Sequence, residues 1–277
     1  MDLRIVNICN NNCAYCLEQS LRRKEKFLDK YNIFELLKKE ENKEILNFFW
    51  GNSLLHPDLI QIIEFAKNIW FKNIGLLTNS FWLEKYSLEE FRKNNLTSFW
   101  IYFNNFQENK HNLVVWKEWI KLEKLLEHIK KLKQNNFFVK IIIHINKQNI
   151  DTIYKDILIL NKKYQINNFE FVNYFPFDRP YEKFRDILEY NIKQNRVKIN
   201  KLFLIIKKLH LSVNFVKFSR DFFWKYNKEF YDLKKWILEQ IWEEDLAILE
   251  SKETPFCKKE NRCNSCFLKD KCKWYGV

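Results

Sequence analysis

The sequence predicts an α/β fold of six strand–helix units followed by a small cysteine-rich end. Three observations point to it. Short apolar runs of strand length alternate with amphipathic stretches of helical period through residues 1–210. The seven cysteines fall only at the two ends, in 9–16 and 257–272. The 277 residues suffice for one large α/β barrel or two small domains, and a 47% hydrophobic content supports a sizeable core. We divide the chain into a strand–helix domain, 1–210, and an extension, 211–277.

The strands are read in order. LRIVNI (3–8) is the first, followed by EILNFFW (44–50), KNIGLLT (72–78), SFWIYF (98–103), VKIIIHI (139–145) and NNFEFVNYF (167–175). Helical patterns lie near 31–41, 58–69, 84–94, 118–135 and 150–164, with 183–208 closing the last unit. FPFDRPYEKF (175–184) reads as a turn out of the sixth strand, and VNFVKF (213–218) as a short seventh strand. DLKKWILEQIWEEDLAILE (232–250) reads as a helix before the cysteine tail.

Composition excludes several classes. Three Gly and four Pro rule out collagen-like and linker-rich chains. No apolar run approaches the roughly 18 residues of a membrane-spanning helix. MDLRIVNIC lacks a signal-peptide pattern, so the expectation is a soluble, cytoplasmic protein without a membrane partner. The formal net charge of +13 is compatible with RNA binding. Its lysines are spread over helix faces, however, as in KLEKLLEHIKKLK (121–133), and form no single basic stripe.

The cysteine clusters point to metal chemistry. Clustered thiols in a reducing compartment more often hold a metal or cluster than a disulfide framework, and the count is odd. CNNNCAYC supplies Cys9, Cys13 and Cys16, with no histidine nearer than His56. Structural zinc and [4Fe–4S] clusters usually take four ligands. Three thiolates therefore leave one position open for a substrate or cofactor.

This motif resembles the cluster motif of the radical S-adenosylmethionine superfamily, and it follows an apolar N-terminal strand. The resemblance implies a partial (β/α)6 TIM-like barrel. It also implies a [4Fe–4S] cluster held by Cys9, Cys13 and Cys16, and S-adenosylmethionine bound to the fourth iron. Tyr15 is then the aromatic beside the last ligand. WGNSLLHPDL (50–59) is similar to the family's glycine-rich segment for the cofactor's amino group, with Trp50, Gly51 and Asn52 at the turn. It departs from that pattern where Trp50 replaces glycine and Asn52 and Ser53 replace Glu and Pro. LLTNS (76–80) resembles a second family segment through Thr78 and Asn79. Strand ends add Asn104, His144 and Asn173 as cofactor-binding candidates by position, beside Tyr102 and Asn146.

The second cluster, CKKENRCNSCFLKDKC, offers Cys257, Cys263, Cys266 and Cys272. Either structural zinc or an auxiliary [4Fe–4S] cluster would suit four thiolates. The latter resembles SPASM or twitch extensions, which imply a peptide or protein substrate. The family also implies an electron donor of flavodoxin or ferredoxin type. Two alternatives stand: an RNA- or tRNA-modifying enzyme using the same chemistry, and a non-enzymatic zinc-binding protein.

Ten tryptophans accompany only three glycines, where average usage gives roughly 19 glycines. Trp50 precedes Gly51 in a turn, Trp70 sits where a helix gives way to a strand, and Trp274 follows the last cysteine. All three are places that favour glycine. Two readings remain: UGA codons translated as Trp but meant as glycine, or a Trp-rich core.

Overall fold

The computed structural model describes residues 1–16, 26–115, 121–173, 179–191 and 194–216. Seven parallel strands stand in sequence order: β1 (Asp2–Leu3), β2 (Ile45–Phe48), β3 (Asn73–Thr78), β4 (Leu96–Tyr102), β5 (Phe138–His144), β6 (Asn168–Val172) and β7 (Ser212–Val216). The sheet curls into a half-barrel, a partial (β/α) barrel. Helices α1 (Lys30–Lys39), α2 (Leu59–Asn68), α3 (Leu88–Lys93), α4 (Glu108–Val115), α5 (Leu122–Gln134), α6 (Ile153–Tyr164), α7 (Arg179–Leu188) and α8 (Arg196–Lys208) connect the strands. Among the described residues, no helix is long and apolar enough to cross a membrane.

Local chemistry sets the helix ends. The Asp29 carboxylate accepts the Tyr31 and Asn32 N–H groups at the start of α1, and Lys38 and Lys39 face its negative end. Ser87 caps α3 in the same way through the Glu90 N–H. The core lies between the helices and the sheet's convex face. Leu46, Phe48, Ile74, Leu76, Phe99, Ile101, Ile141, Phe169, Phe171 and Phe215 alternate along their strands onto that face and are buried. Each contributes roughly 1.5–3 kcal/mol of transfer free energy.

Several elements differ from the sequence expectation. The first strand pairs only through Asp2 and Leu3, because Ile5 and Asn7 bond instead to residues 26–28: Leu28 N–H donates to Ile5 C=O and Asn7 N–H to Lys26 C=O. The 84–94 helix is α3 preceded by a 3-10 turn at Leu83–Lys85. The 183–208 pattern divides into α7 and α8, since the Asn191 side chain accepts the Gln194 N–H and competes with a continuous helix. Helix α4 was not anticipated. β7 extends the sheet beyond residue 210, pairing with β6 from Asn168↔Ser212 to Val172↔Val216.

Candidate functional site

A cavity of about 340 Å³ opens at the C-terminal ends of the first strands. Cys9, Cys13, Cys16, Tyr15, Trp50, Gly51, Thr78, Asn79 and His144 line it. These are nine of the residues singled out from sequence, drawn from four separate segments.

The cysteine loop is held on two sides. Against α4, Asn12 and Ala14 N–H groups donate to Val115 and Val114 carbonyls at 3.4 and 2.7 Å. Against β2 and β3, a lattice of amides does the work. The Asn52 side chain donates to Asn10 Oδ1 at 2.8 Å and to Asn79 Oδ1 at 3.0 Å. Asn79 Nδ2 donates to Asn10 Oδ1 at 3.0 Å and reaches Cys9 Sγ at 3.8 Å. The Thr78 hydroxyl donates to Asn52 Oδ1 at 2.8 Å. Asn52 is fully buried and lies behind the cavity wall, so its observed role is to join the loop to the strand ends.

The sulfurs share one electrostatic environment. Burial first, then the charges of Cys9 and Cys16, push the Cys13 thiol up to about 12. Three such thiols cannot all ionise together unless a cation neutralises them. Among the described residues, no three Cys, His, Asp or Glu side chains stand close enough together to hold a metal ion as placed. The loop thus presents three soft donors to one cavity without a closed tripod. This donor set suits an iron–sulfur cluster or zinc.

An aromatic wall faces the sulfurs. Tyr15 stacks on His144 with ring centroids 4.0 Å apart and planes 10° apart, and Tyr102 adjoins both rings at 5.6 and 5.5 Å. Burial, followed by the charge of Glu170, holds the Tyr102 phenol far above its ordinary pKa, so it stays protonated.

Other expected residues are placed differently. Asn104 is buried at 2% exposure, neither amide atom is hydrogen-bonded among the described residues, and it does not line the cavity. Asn173 accepts the Tyr190 hydroxyl at 2.8 Å and is also off the lining. Asn146 turns back to bond the His144 carbonyl. His56 is structural: its Nδ1 accepts the Asp58 N–H, leaving Nε2 to donate to Leu28 C=O. Cys257, Cys263, Cys266 and Cys272 lie outside the described residues.

Sequence reading missed Asn10, His111, Arg4 and Glu170. Asn10 lies directly after the first cysteine of the motif. His111 lines the cavity from α4; burial lowers its pKa to about 4, so it is neutral near pH 7, and its Nδ1 has no partner among the described residues. Glu170, 3.5 Å from Lys140, and Arg4 sit on the concave face. Their signal was a charged residue interrupting an apolar strand.

The protein-family model described as the Radical SAM superfamily matches residues 3–160, more than half of the chain. The probable GTP 3′,8-cyclase of Methanothermobacter thermautotrophicus is 30% identical over 87 residues, covering 31% of this chain and 28% of that protein. SuiB of Streptococcus suis bound to S-adenosylmethionine superposes with a TM-score of 0.64 at 13% identity, covering 96% of this chain and 70% of that one. SuiB bound to its precursor peptide SuiA gives 0.61 at 14% identity, over 77% of this chain and 48% of that chain. The hydrogenase maturase HydG of Carboxydothermus hydrogenoformans gives 0.57 at 12%, over 80% and 54%. The chain therefore spans about half of two of these structures and little more than a quarter of the cyclase.

Proposed function

The chain belongs to the radical SAM superfamily, and on that premise we propose that it is an enzyme acting on a peptide or protein through S-adenosylmethionine and a [4Fe–4S] cluster. The observation that carries this is the convergence of Cys9, Cys13 and Cys16 with Tyr15, Thr78, Asn79 and His144 on one cavity. When bound, the cluster and cofactor supply one-electron cleavage of S-adenosylmethionine to methionine and a 5′-deoxyadenosyl radical, which takes hydrogen from the substrate.

The residues of the chain do the positioning. Cys9, Cys13 and Cys16 would hold the cluster. Asn10, Asn52 and Asn79 fix the loop that carries the thiols. The Tyr15–His144 stack walls the cavity and keeps water from a reactive intermediate. The Trp50–Gly51 turn and Thr78 border the cofactor's place. Asn104 and Asn173 support this rim as buried strand-end amides.

The peptide substrate is proposed because SuiB, which shares the fold, is seen with a precursor peptide. The C-terminal cysteines Cys257, Cys263, Cys266 and Cys272 are proposed to hold an auxiliary [4Fe–4S] cluster in a 211–277 extension. A flavodoxin- or ferredoxin-type donor supplies the electron.

The test is anaerobic reconstitution with iron and sulfide, addition of S-adenosylmethionine and a strong reductant, and measurement of 5′-deoxyadenosine against Cys13→Ala. Nucleoside above that control supports the proposal. A colourless, zinc-loaded protein without labile sulfide would overturn it. Steeply salt-dependent RNA binding together with product would move the substrate to RNA.

A further inference from the structure

We infer that positions 50, 70, 82 and 100 carry glycine in the native protein, so that the cofactor cavity is bordered by a two-glycine turn and is larger than the tryptophan chain allows. The inference stands on backbone and packing geometry. It does not depend on the reaction proposed above.

Four tryptophans fall among the described residues, and each is out of character. Trp50 and Trp70 have φ of 71° and 77°. A bulky residue in the left-handed region is a genuine outlier, whereas glycine enters it without cost. Trp70 terminates α2 in a specific way. Its N–H donates to Lys67 C=O at 2.9 Å, and the next N–H, of Phe71, donates to Ala66 C=O at 3.1 Å. That paired pattern requires a left-handed residue, which is most often glycine and sometimes Asn. α5 ends with the same pair of bonds, and there the left-handed residue is Asn136. Trp70 has no packing reason to be aromatic, since it is 82% exposed.

Trp50 stands in a tighter place. Gly51 follows it at φ 62°, so the turn holds two consecutive left-handed residues. A Cβ on Gly51 would lie 2.7 Å from Ile8 C=O, which shows how closely this turn is pressed onto the cysteine strand. The Trp50 side chain is 46% exposed at the cavity edge.

The other two fail in a different way. The indole N–H groups of Trp82 and Trp100 are buried, and neither has a hydrogen-bond partner among the described residues. A buried tryptophan ordinarily finds one. Trp100 lies over Gly75 of β3, its Cη2 3.2 Å from where a Cβ on that glycine would stand. It stacks on Phe49, a cavity residue, at 4.7 Å. Glycine at 50 and 100 removes one indole from the edge of the cavity and another from behind its Phe49 wall. The scarcity of glycine in the chain, three against ten tryptophans, has the same explanation: UGA codons read as glycine.

The direct test takes the protein from the cells that make it and measures its tryptic peptides 44–67 and 68–72 by mass spectrometry, with the four codons read alongside. Glycine masses with UGA codons are expected. Tryptophan masses, or UGG codons, overturn the inference. A second test uses recombinant protein, comparing the tryptophan chain with W50G and W70G by thermal melting. Both substitutions are expected to raise the midpoint. A fall in both would overturn the geometric ground, whatever the enzyme does with S-adenosylmethionine.

Discussion

The two faces of the same sheet differ sharply. The convex face reads Leu46, Phe48, Ile74, Leu76, Phe99, Ile101, Ile141, Phe169, Phe171 and Phe215, all buried beneath helices. The concave face, one residue out of step, includes Asn47, Ser98, Tyr102, Lys140, His144, Glu170 and Asn214 among Phe49, Leu77, Ile142 and Val172. Parallel strands covered on both faces usually read as unbroken apolar runs. Alternation in an all-parallel sheet therefore marks a face kept for something other than core packing. Here that face leads up to the cavity with the three thiols.

Substitutions on the two faces separate stability from chemistry. The largest effect is expected from Cys13→Ala, which removes one of three thiols: 5′-deoxyadenosine formation falls to background while the melting temperature of the apoprotein barely moves. Phe171→Ala on the convex face does the converse. It costs about 3–5 kcal/mol in denaturant unfolding and lowers the folded fraction without altering the product formed per cluster. Asn52→Ala is intermediate, because it removes one hydrogen-bond partner each from Asn10, Asn79 and the Thr78 hydroxyl. We expect about 1–3 kcal/mol of destabilisation and faster loss of iron on dilution, read by absorbance.

The smallest effect isolates a convex-side charge. Asp156 in α6 is buried, and burial raises its pKa to about 7, against the Thr152 hydroxyl that bonds its carboxylate at 3.0 Å. In the unfolded chain it titrates near 3.9. The folded form holds the proton more tightly, so its contribution is full below about pH 4. That contribution is lost as pH rises to about 7, then levels off. Asp156→Asn should flatten the melting-temperature profile between those values and leave activity unchanged. A parallel slope in both proteins would show that the group does not titrate as described.

Much of this comparison was legible beforehand. Six strands were placed from apolar runs, and the Cys9–Cys16 motif lies at the end of the first strand as expected. What escaped notice depended on three-dimensional partners. Asn10 is one of three identical residues in a row, and only its bonds to Asn52 and Asn79 distinguish it. His111 falls in α4, whose pattern is too weakly amphipathic to announce a helix. The apolar residues Leu3, Ile5, Val6 and Ile8 predict a longer first strand. Its second half instead pairs with 26–28, a choice that local sequence does not encode. Trp50 and Trp70 were suspect from composition and position alone, and their φ angles supply the physical reason.

The brace behind the thiols has one more consequence. Asn10, Asn52, Asn79 and Thr78 contain no group that gains or loses a proton in the accessible pH range. The sulfurs change their charge, but the scaffold fixing them does not. It also adds no net charge beside them. Whatever the thiols do, the brace itself has no proton to exchange.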